Sequence, residues 1–315
     1  MSQADVANTQ YAISGSAGRM AEKKMRKIKE GLIGALLFLC AFSAVAVTLA
    51  IVVILLYEAM GFFKHVSIVE FLTSTQWTPL FENPQFGVLP LISGTLVTAG
   101  VALAVAVPVG VVVAIYLSEF APHKVRETVK PFLEMLEGVP TVVYGYFALL
   151  FVTPILQTFM PDLPGFNMLS AGLIIGIMII PYVSSVSEDA MRAVPMSLRE
   201  GSYAMGATRF QTAVKVIFPA AISGVLAAFI LGISRAIGET MVVAIAAGTQ
   251  PNFTWNPTEG AATITSYIVQ VALGDLPHGE IGYQSIFAVG LVLVLMTLVF
   301  NILGHMLRRK FREAY

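Results

Sequence analysis

Apolar residues fall into six long runs along the chain, at about 31–57, 89–117, 141–159, 168–186, 220–248 and 281–307, with polar segments between them. At 1.5 Å of helical rise per residue, each run is long enough to cross about 30 Å of hydrocarbon. The runs are continuous rather than alternating, which excludes a closed β-barrel. The pattern predicts an all-α integral membrane protein with six transmembrane helices. It also divides the chain into a polar N-terminal tail (1–30), a first transmembrane helix (31–57), an outward segment (58–88), a five-helix core (89–307) and a short C-terminal tail (308–315). The run at 31–57 is too long for the apolar core of a cleavable signal, and no small-residue cleavage site follows it, so it is expected to be a retained helix.

Charge gives the orientation. Seventeen of the 19 Lys and Arg residues lie in the N-terminal tail, in 118–140, in 187–219 and in the C-terminal tail, whereas the three alternate segments hold only Lys64. The positive-inside rule therefore places both termini and the 187–219 segment in the cytoplasm of a multi-pass membrane protein. The basic cluster Lys23, Lys24, Arg26, Lys27 and Lys29 reads as an orientation signal resting on anionic lipid, with no role for nucleic acid.

Composition agrees with a membrane protein: 57% hydrophobic, 12% charged, with mean hydropathy of +0.79. The lone Cys40 lies in an apolar run and the four His residues are scattered, so neither a disulfide framework nor a metal site is expected. No G-x4-G-K-[ST] occurs, so the chain has no P-loop of its own, and no catalytic constellation marks an enzyme.

The outward segments 58–88 and 249–280 read as simple connectors, with Trp77 and Trp255 expected at the outer interface. Pro108, Pro154 and Pro181 are expected to bend or break helices. Gly172 and Gly176 have the small-x3-small spacing of a close helix contact.

Two places carry candidate chemistry. Arg235 and Glu239 are the only ionisable residues well inside a run, 16 and 20 residues beyond Pro219, or about 24 and 30 Å along a helix. A charge at that depth costs at least about 2.5–3.5 kcal/mol unless it is paired or faces water. On a continuous helix the i,i+4 spacing puts both on one face. The two either neutralise each other and lock helices together, or form a path in which Arg235 meets a passing anion and Glu239 holds its side chain. Gly238 and Thr240 would then add backbone and hydroxyl groups.

The second place is the polar stretch REGSYAMGATRFQTAVKVIFP at 199–219, an amphipathic surface helix by composition alone. Glu134 and Glu137 fit an interfacial helix, and Glu188 and Asp189 with Arg192 fit a solvated face beside this stretch.

Glu200, Gly206 and Pro219 stand at the spacings of the EAA loop of ABC importer permeases, E-A-A-x3-G-x9-I-x-L-P, with Gly201 and Ser202 in place of the two alanines. The blocks FGVLPLISGTLVTAGVALAVAVPVGVVVAIYLSE, LEGVPTVVYGYFALLF, IIGIMIIPYVSSVSEDA and SRAIGETM extend the likeness over nearly everything after the N-terminal tail. The chain resembles the PstC family of permease subunits in bacterial phosphate ABC importers, with the PstA-like paralogue as the nearest alternative. The resemblance implies a type I importer permease fold with a cytoplasmic coupling helix, in which Glu200, Gly206, Ala207 and Arg209 face an ATPase subunit. It implies a substrate path for phosphate through Arg235, Glu239 and Thr240, and transport by alternating access. It further implies a PstA-like second permease subunit, two PstB-like ATPases that hold the ATP and Mg, and a PstS-like periplasmic phosphate-binding protein. This chain itself would bind no cofactor. Two other classes remain open: an ATP-independent secondary anion carrier, which has no reason to keep the EAA spacing, and a membrane-embedded assembly subunit that moves nothing.

Overall fold

The computed structural model describes residues 3–79, 81, 83–274, 277 and 279–310. It is helical almost throughout; among the described residues the only strand-like pairing is an antiparallel bridge between Trp77 and Phe86. Two units are distinguished, residues 1–55 and 56–315. The first is the greater part of helix α1 (Gln3–Phe63), which runs past both limits expected for the first span. Its apolar side chains from Leu32 to Ile54 are exposed all round, the condition of a helix surrounded by hydrocarbon.

The second unit contains α2 (Ile68–Thr73), α3 (Leu89–Ile115), α4 (His123–Glu137), α5 (Thr141–Phe147), α6 (Thr153–Phe159) and α7 (Met168–Arg192). After these come α8 (Met196–Ala204), α9 (Arg209–Thr212), α10 (Phe218–Ala220), α11 (Ile222–Ile237), α12 (Met241–Ala246), α13 (Ile264–Ala272) and α14 (Ile281–Lys310). Five helical stretches are long and apolar enough to cross a membrane: Lys29–Phe63, Leu89–Phe120, Thr141–Phe159, Met168–Arg192 and Ile281–Lys310. The pair Arg209–Ala220 and Ile222–Ile237, bent by 71°, is long and apolar enough to make a sixth if it counts as one span. Of the expected C-terminal tail, Arg308 to Lys310 continue α14, and 311–315, with Arg312, lie outside the described residues.

Helix α7 is the centre of the unit. Ile174, Ile175, Met178, Ile179 and Val183 are buried, and α3 lies against them. The approach is close because Gly172 and Gly176 have no side chain. A Cβ at Gly172 would stand 2.7 Å from Val101 Cβ, and one at Gly176 would stand 2.8 Å from the Ala102 carbonyl oxygen. The Gly-x3-Gly spacing thus reports a real helix contact.

Prolines act differently from place to place. Pro108 and Pro181 sit inside continuous helices. Pro154 and Pro219 each follow a π-helical turn, Ala148–Val152 and Ala213–Ile217, with the residue before each proline bonded five positions back. The wider turn makes room for a ring that would clash with the carbonyl four residues earlier.

Three expectations are corrected. The run at 220–248 is not one helix: α11 ends at Ile237, Gly238 caps it, and α12 begins at Met241. Beyond α12 the chain folds back, and Ala261 and Ala262 donate to the carbonyls of Ala247 and Gln250 at 3.1 and 2.9 Å. The segment 58–88 is no simple connector, because α2 and the Trp77–Phe86 bridge fold it onto α13 and α14. Trp77 is buried there, edge-on to Phe71, Phe86 and Tyr267, rather than placed at an interface. Trp255 is exposed.

Candidate functional site

The polar stretch after α7 folds as a helix, a tight turn and a second helix. Pro195 precedes α8, and three hydrogen bonds close its other end. Gly206 N–H donates to the Tyr203 carbonyl at 2.9 Å, and Ala207 N–H donates to the Ser202 carbonyl at 3.2 Å. This is the Schellman arrangement, which needs a left-handed residue at the turn, and Gly206 has φ +82°. Two residues on, Thr208 caps α9: its hydroxyl accepts from Gln211 N–H at 3.3 Å, and the Gln211 side chain accepts from Thr208 N–H at 2.9 Å. The Glu-to-Gly spacing read in the sequence is therefore the distance from the middle of one helix to its stop.

That turn presents an apolar surface with charges beside it. Met205 is 89% and Phe210 66% exposed, and Met196 and Tyr203 are exposed as well. Glu200, Gly206 and Arg209 are exposed and Ala207 is half-buried. Three of the four candidate residues are therefore open to solvent and the fourth is partly so.

A charged side chain that spacing alone did not single out holds this surface in place. Arg199 is 12% and Glu119 6% exposed, with Arg199 Nη2 3.0 Å from Glu119 Oε1. Arg199 also donates to the Val194 and Met191 carbonyls at 2.6 and 2.9 Å. One guanidinium thereby ties α8 to the C-terminal end of α7 and to the π turn Tyr116–Phe120 that ends α3.

A second ion cluster overturns the solvated face expected at Glu188. Glu188 is fully buried, and Arg126 Nε lies 2.6 Å and Lys130 Nζ 3.3 Å from its oxygens. Asp189, which is exposed, takes the other side of Lys130 at 3.0 Å. Burial opposes the Lys130 ammonium, but the Asp189 hydrogen bond and the charges of Glu188 and Asp189 outweigh it and hold the pKa above the ordinary lysine value. The cluster pins α4 to α7. On the other side, α4 exposes Phe132 and Met135, together with Glu134, as an interfacial helix does.

Within the membrane crossing, Arg235 occupies the last turn of α11, where the helix carbonyls favour a cation. Its guanidinium carbon lies 5.8 Å from the centre of the Tyr182 ring on α7. Its buried Nε has no hydrogen-bond partner, and no carboxylate pairs with it among the described residues.

The expected Arg235–Glu239 pair is absent because the helix stops between them. Glu239 turns instead to the start of α12, where it accepts from Val242 N–H at 3.5 Å, while its own carbonyl accepts from the Thr265 hydroxyl at 2.6 Å. Thr240 is half-buried and donates to the Gly238 carbonyl at 3.1 Å.

The consequence for Arg235 is electrostatic. A cation–π contact supplies about 0.5–2 kcal/mol. That falls short of the at least about 2.5–3.5 kcal/mol cost of a cation at membrane depth. Arg235 is left with an unmet demand for an anion or for water. Among the described residues no three His, Cys, Asp or Glu side chains come together as a metal site would require.

Comparison with known proteins gives a consistent result. Residues 106–313 match the family described as "Binding-protein-dependent transport system inner membrane component". The "Probable ABC transporter permease protein YqgH" of Bacillus subtilis (strain 168) is 34% identical over 298 residues, 94% of this chain and 96% of that protein. The "Phosphate transport system permease protein PstC" of Mesorhizobium japonicum is 34% identical over 262 residues, 76% of this chain and 78% of its own. Among solved structures, a bacterial ABC transporter "involved in the import of the acidic polysaccharide alginate" superposes with a TM-score of 0.59 at 18% identity, over 82% of this chain and 89% of that one. That likeness establishes the fold.

Proposed function

The chain belongs to the family of binding-protein-dependent transport system inner membrane components, and from that premise we propose that it is the permease subunit of an ATP-driven importer of inorganic phosphate. Both termini, the α8–α9 turn and the Glu188 cluster then face the cytoplasm, as the Lys and Arg distribution requires. A periplasmic binding protein of the PstS type delivers phosphate to the outer mouth. This chain and a PstA-like partner form the path between them, and two PstB-like ATPases hold the ATP and Mg.

The motion enters at the exposed surface of Glu200, Gly206, Ala207 and Arg209. ATP-driven closure of the ATPases moves α8, and the Arg199–Glu119 tie carries that movement to the ends of α7 and α3. Helices then rearrange around the substrate; no covalent chemistry on phosphate is needed.

The observation that carries the substrate reading is the unpaired guanidinium of Arg235 at membrane depth, together with phosphate in the names of relatives about one-third identical. A planar guanidinium offers several donors in a fork that matches an oxyanion. Thr240 adds a hydroxyl nearby in sequence. Glu239, as the cap of α12, shapes the α11–α12 break rather than neutralising Arg235.

Phosphate uptake by Arg235 and Glu239 variants, at matched membrane expression, tests this directly. Arg235→Ala should abolish uptake, Arg235→Lys should retain part of it, and Glu239→Gln, whose amide oxygen can still cap α12, should lose less than Arg235→Ala. Wild-type uptake in Arg235→Ala refutes the role.

A further inference from the structure

Helices α11 and α14 are in close contact where Gly304 meets Ile230, with no room for a Cβ unless Ile230 moves. One turn further along, the Ser234 hydroxyl donates to Asn301 Oδ1 at 3.2 Å. In the other direction, toward the end where the basic residues collect, the two helices part around a cleft of about 610 Å³. Ser223, Gly224 and Ala227 line it from α11, and His305, Arg308 and Arg309 line it from α14.

The two walls are unlike each other. Positions 305, 308 and 309 share one face of α14 by the i,i+3,i+4 rule, so two guanidiniums and an imidazole turn the same way. The α11 wall is small and smooth, with one hydroxyl. Among the described residues no acidic side chain lines the cleft. Neither arginine makes an ion pair, and the Ser223 hydroxyl has no hydrogen-bond partner, among the described residues.

We infer that this cleft binds a phosphate group, carried by the headgroup of an anionic phospholipid or free as inorganic phosphate. Two adjacent guanidiniums provide bidentate, charge-assisted hydrogen bonds, and Ser223 contributes a hydroxyl to the lining from the other wall. The first turn of the 16-residue α11 adds the favourable end of its dipole. A lipid would lie with its headgroup among the arginines at headgroup level and its acyl chains along the small-residue wall. The inference requires that the chain spans a membrane, and it does not depend on what the chain transports.

The full-length chain in nanodiscs provides the test, in an Arg235→Ala background so that the proposed transport path contributes no phosphate binding. Two probes are used: retention of phosphatidylglycerol against phosphatidylcholine by native mass spectrometry, and equilibrium binding of labelled inorganic phosphate. Arg308→Gln/Arg309→Gln and, separately, Ser223→Asp should weaken binding of one probe by about 10–100-fold, the scale of losing hydrogen bonds to a charged group. Arg308→Lys/Arg309→Lys should restore part of it. Loss of phosphatidylglycerol alone identifies the lipid headgroup as the source, and loss of phosphate alone identifies the free anion. Ser223→Asp leaves α14 intact, so a folding failure of the arginine variant does not decide the matter. If neither probe is weakened by Ser223→Asp, the inference is overturned.

Discussion

Replacing Arg199 by Ala removes the ion pair and hydrogen bonds that join α8 to both the end of α7 and the turn that ends α3. Glu119 is then left almost buried, keeping only the Ser118 hydroxyl at 2.8 Å as a donor. The Val194 carbonyl loses its donor at 2.6 Å, and the Met191 carbonyl loses one at 2.9 Å while keeping Val194 N–H at 3.3 Å. Removing one partner of a buried ion pair costs about 3–5 kcal/mol, and an orphaned buried acceptor about 1–3 kcal/mol. Arg199 is 12% exposed, so water can enter once it is gone, and the lower end, about 3 kcal/mol, is the working figure. At about 1.4 kcal/mol per factor of ten, local opening of α8 should become roughly 100-fold more frequent. Amide hydrogen exchange on the purified protein reads this directly. Exchange across Met196–Ala204 should accelerate by about that factor, while the middle of α7, packed through Gly172 and Gly176, stays protected. The Glu119→Gln/Arg199→Ala double variant should be less destabilised than Arg199→Ala alone, because no buried charge is stranded. Unchanged exchange in α8 of Arg199→Ala would refute the claim that this tie holds α8 in place.

Other consequences are simpler to read. Gly206→Ala meets open space, so its cost is the left-handed backbone alone, about 1–2 kcal/mol; transport should fall while the rest of the fold melts normally, and normal transport together with unchanged exchange at the turn would count against the Schellman geometry. Lys130 has a pKa above the ordinary 10.5, so its contribution to stability is complete below 10.5 and is lost as pH rises through the folded value. Thermal stability should therefore decline in that alkaline range for the wild type and stay flatter for Lys130→Gln; equal slopes would contradict the ion cluster. Gly176→Leu should force α3 away from α7 and prevent stable accumulation in the membrane, since even a Cβ there would lie 2.8 Å from the Ala102 carbonyl oxygen; normal accumulation of this variant would contradict the packing.

How much of this was legible beforehand follows from the physics of each feature. The helical class and five of the six expected spans follow from run length, because the thickness of hydrocarbon sets how many apolar residues a helix needs. The Gly172–Gly176 contact and the turn at Gly206 are local patterns, and the sequence displays them. The break at Gly238 was hidden because 220–248 is apolar throughout, and hydropathy does not distinguish a spanning helix from one that stops and folds back inside protein. With that break unseen, Arg235 and Glu239 looked like a pair on one helical face. Arg199 finds Glu119 80 positions away, and Glu188 finds Arg126 and Lys130 more than 50 positions away; no local spacing announces such partners. Trp77 misled because an indole suits both a lipid interface and an aromatic core, and only the folding of 58–88 decides between them.

The central claim is that ATP drives phosphate through this chain. Uptake of labelled phosphate by cells lacking the chain, and by the same cells with it restored, tests that claim when ATP is depleted and the proton gradient is collapsed in separate arms. Uptake should depend on the chain, disappear on ATP depletion and survive collapse of the gradient. Loss on gradient collapse alone would make the protein a secondary carrier, and uptake indifferent to the chain would remove phosphate as its substrate.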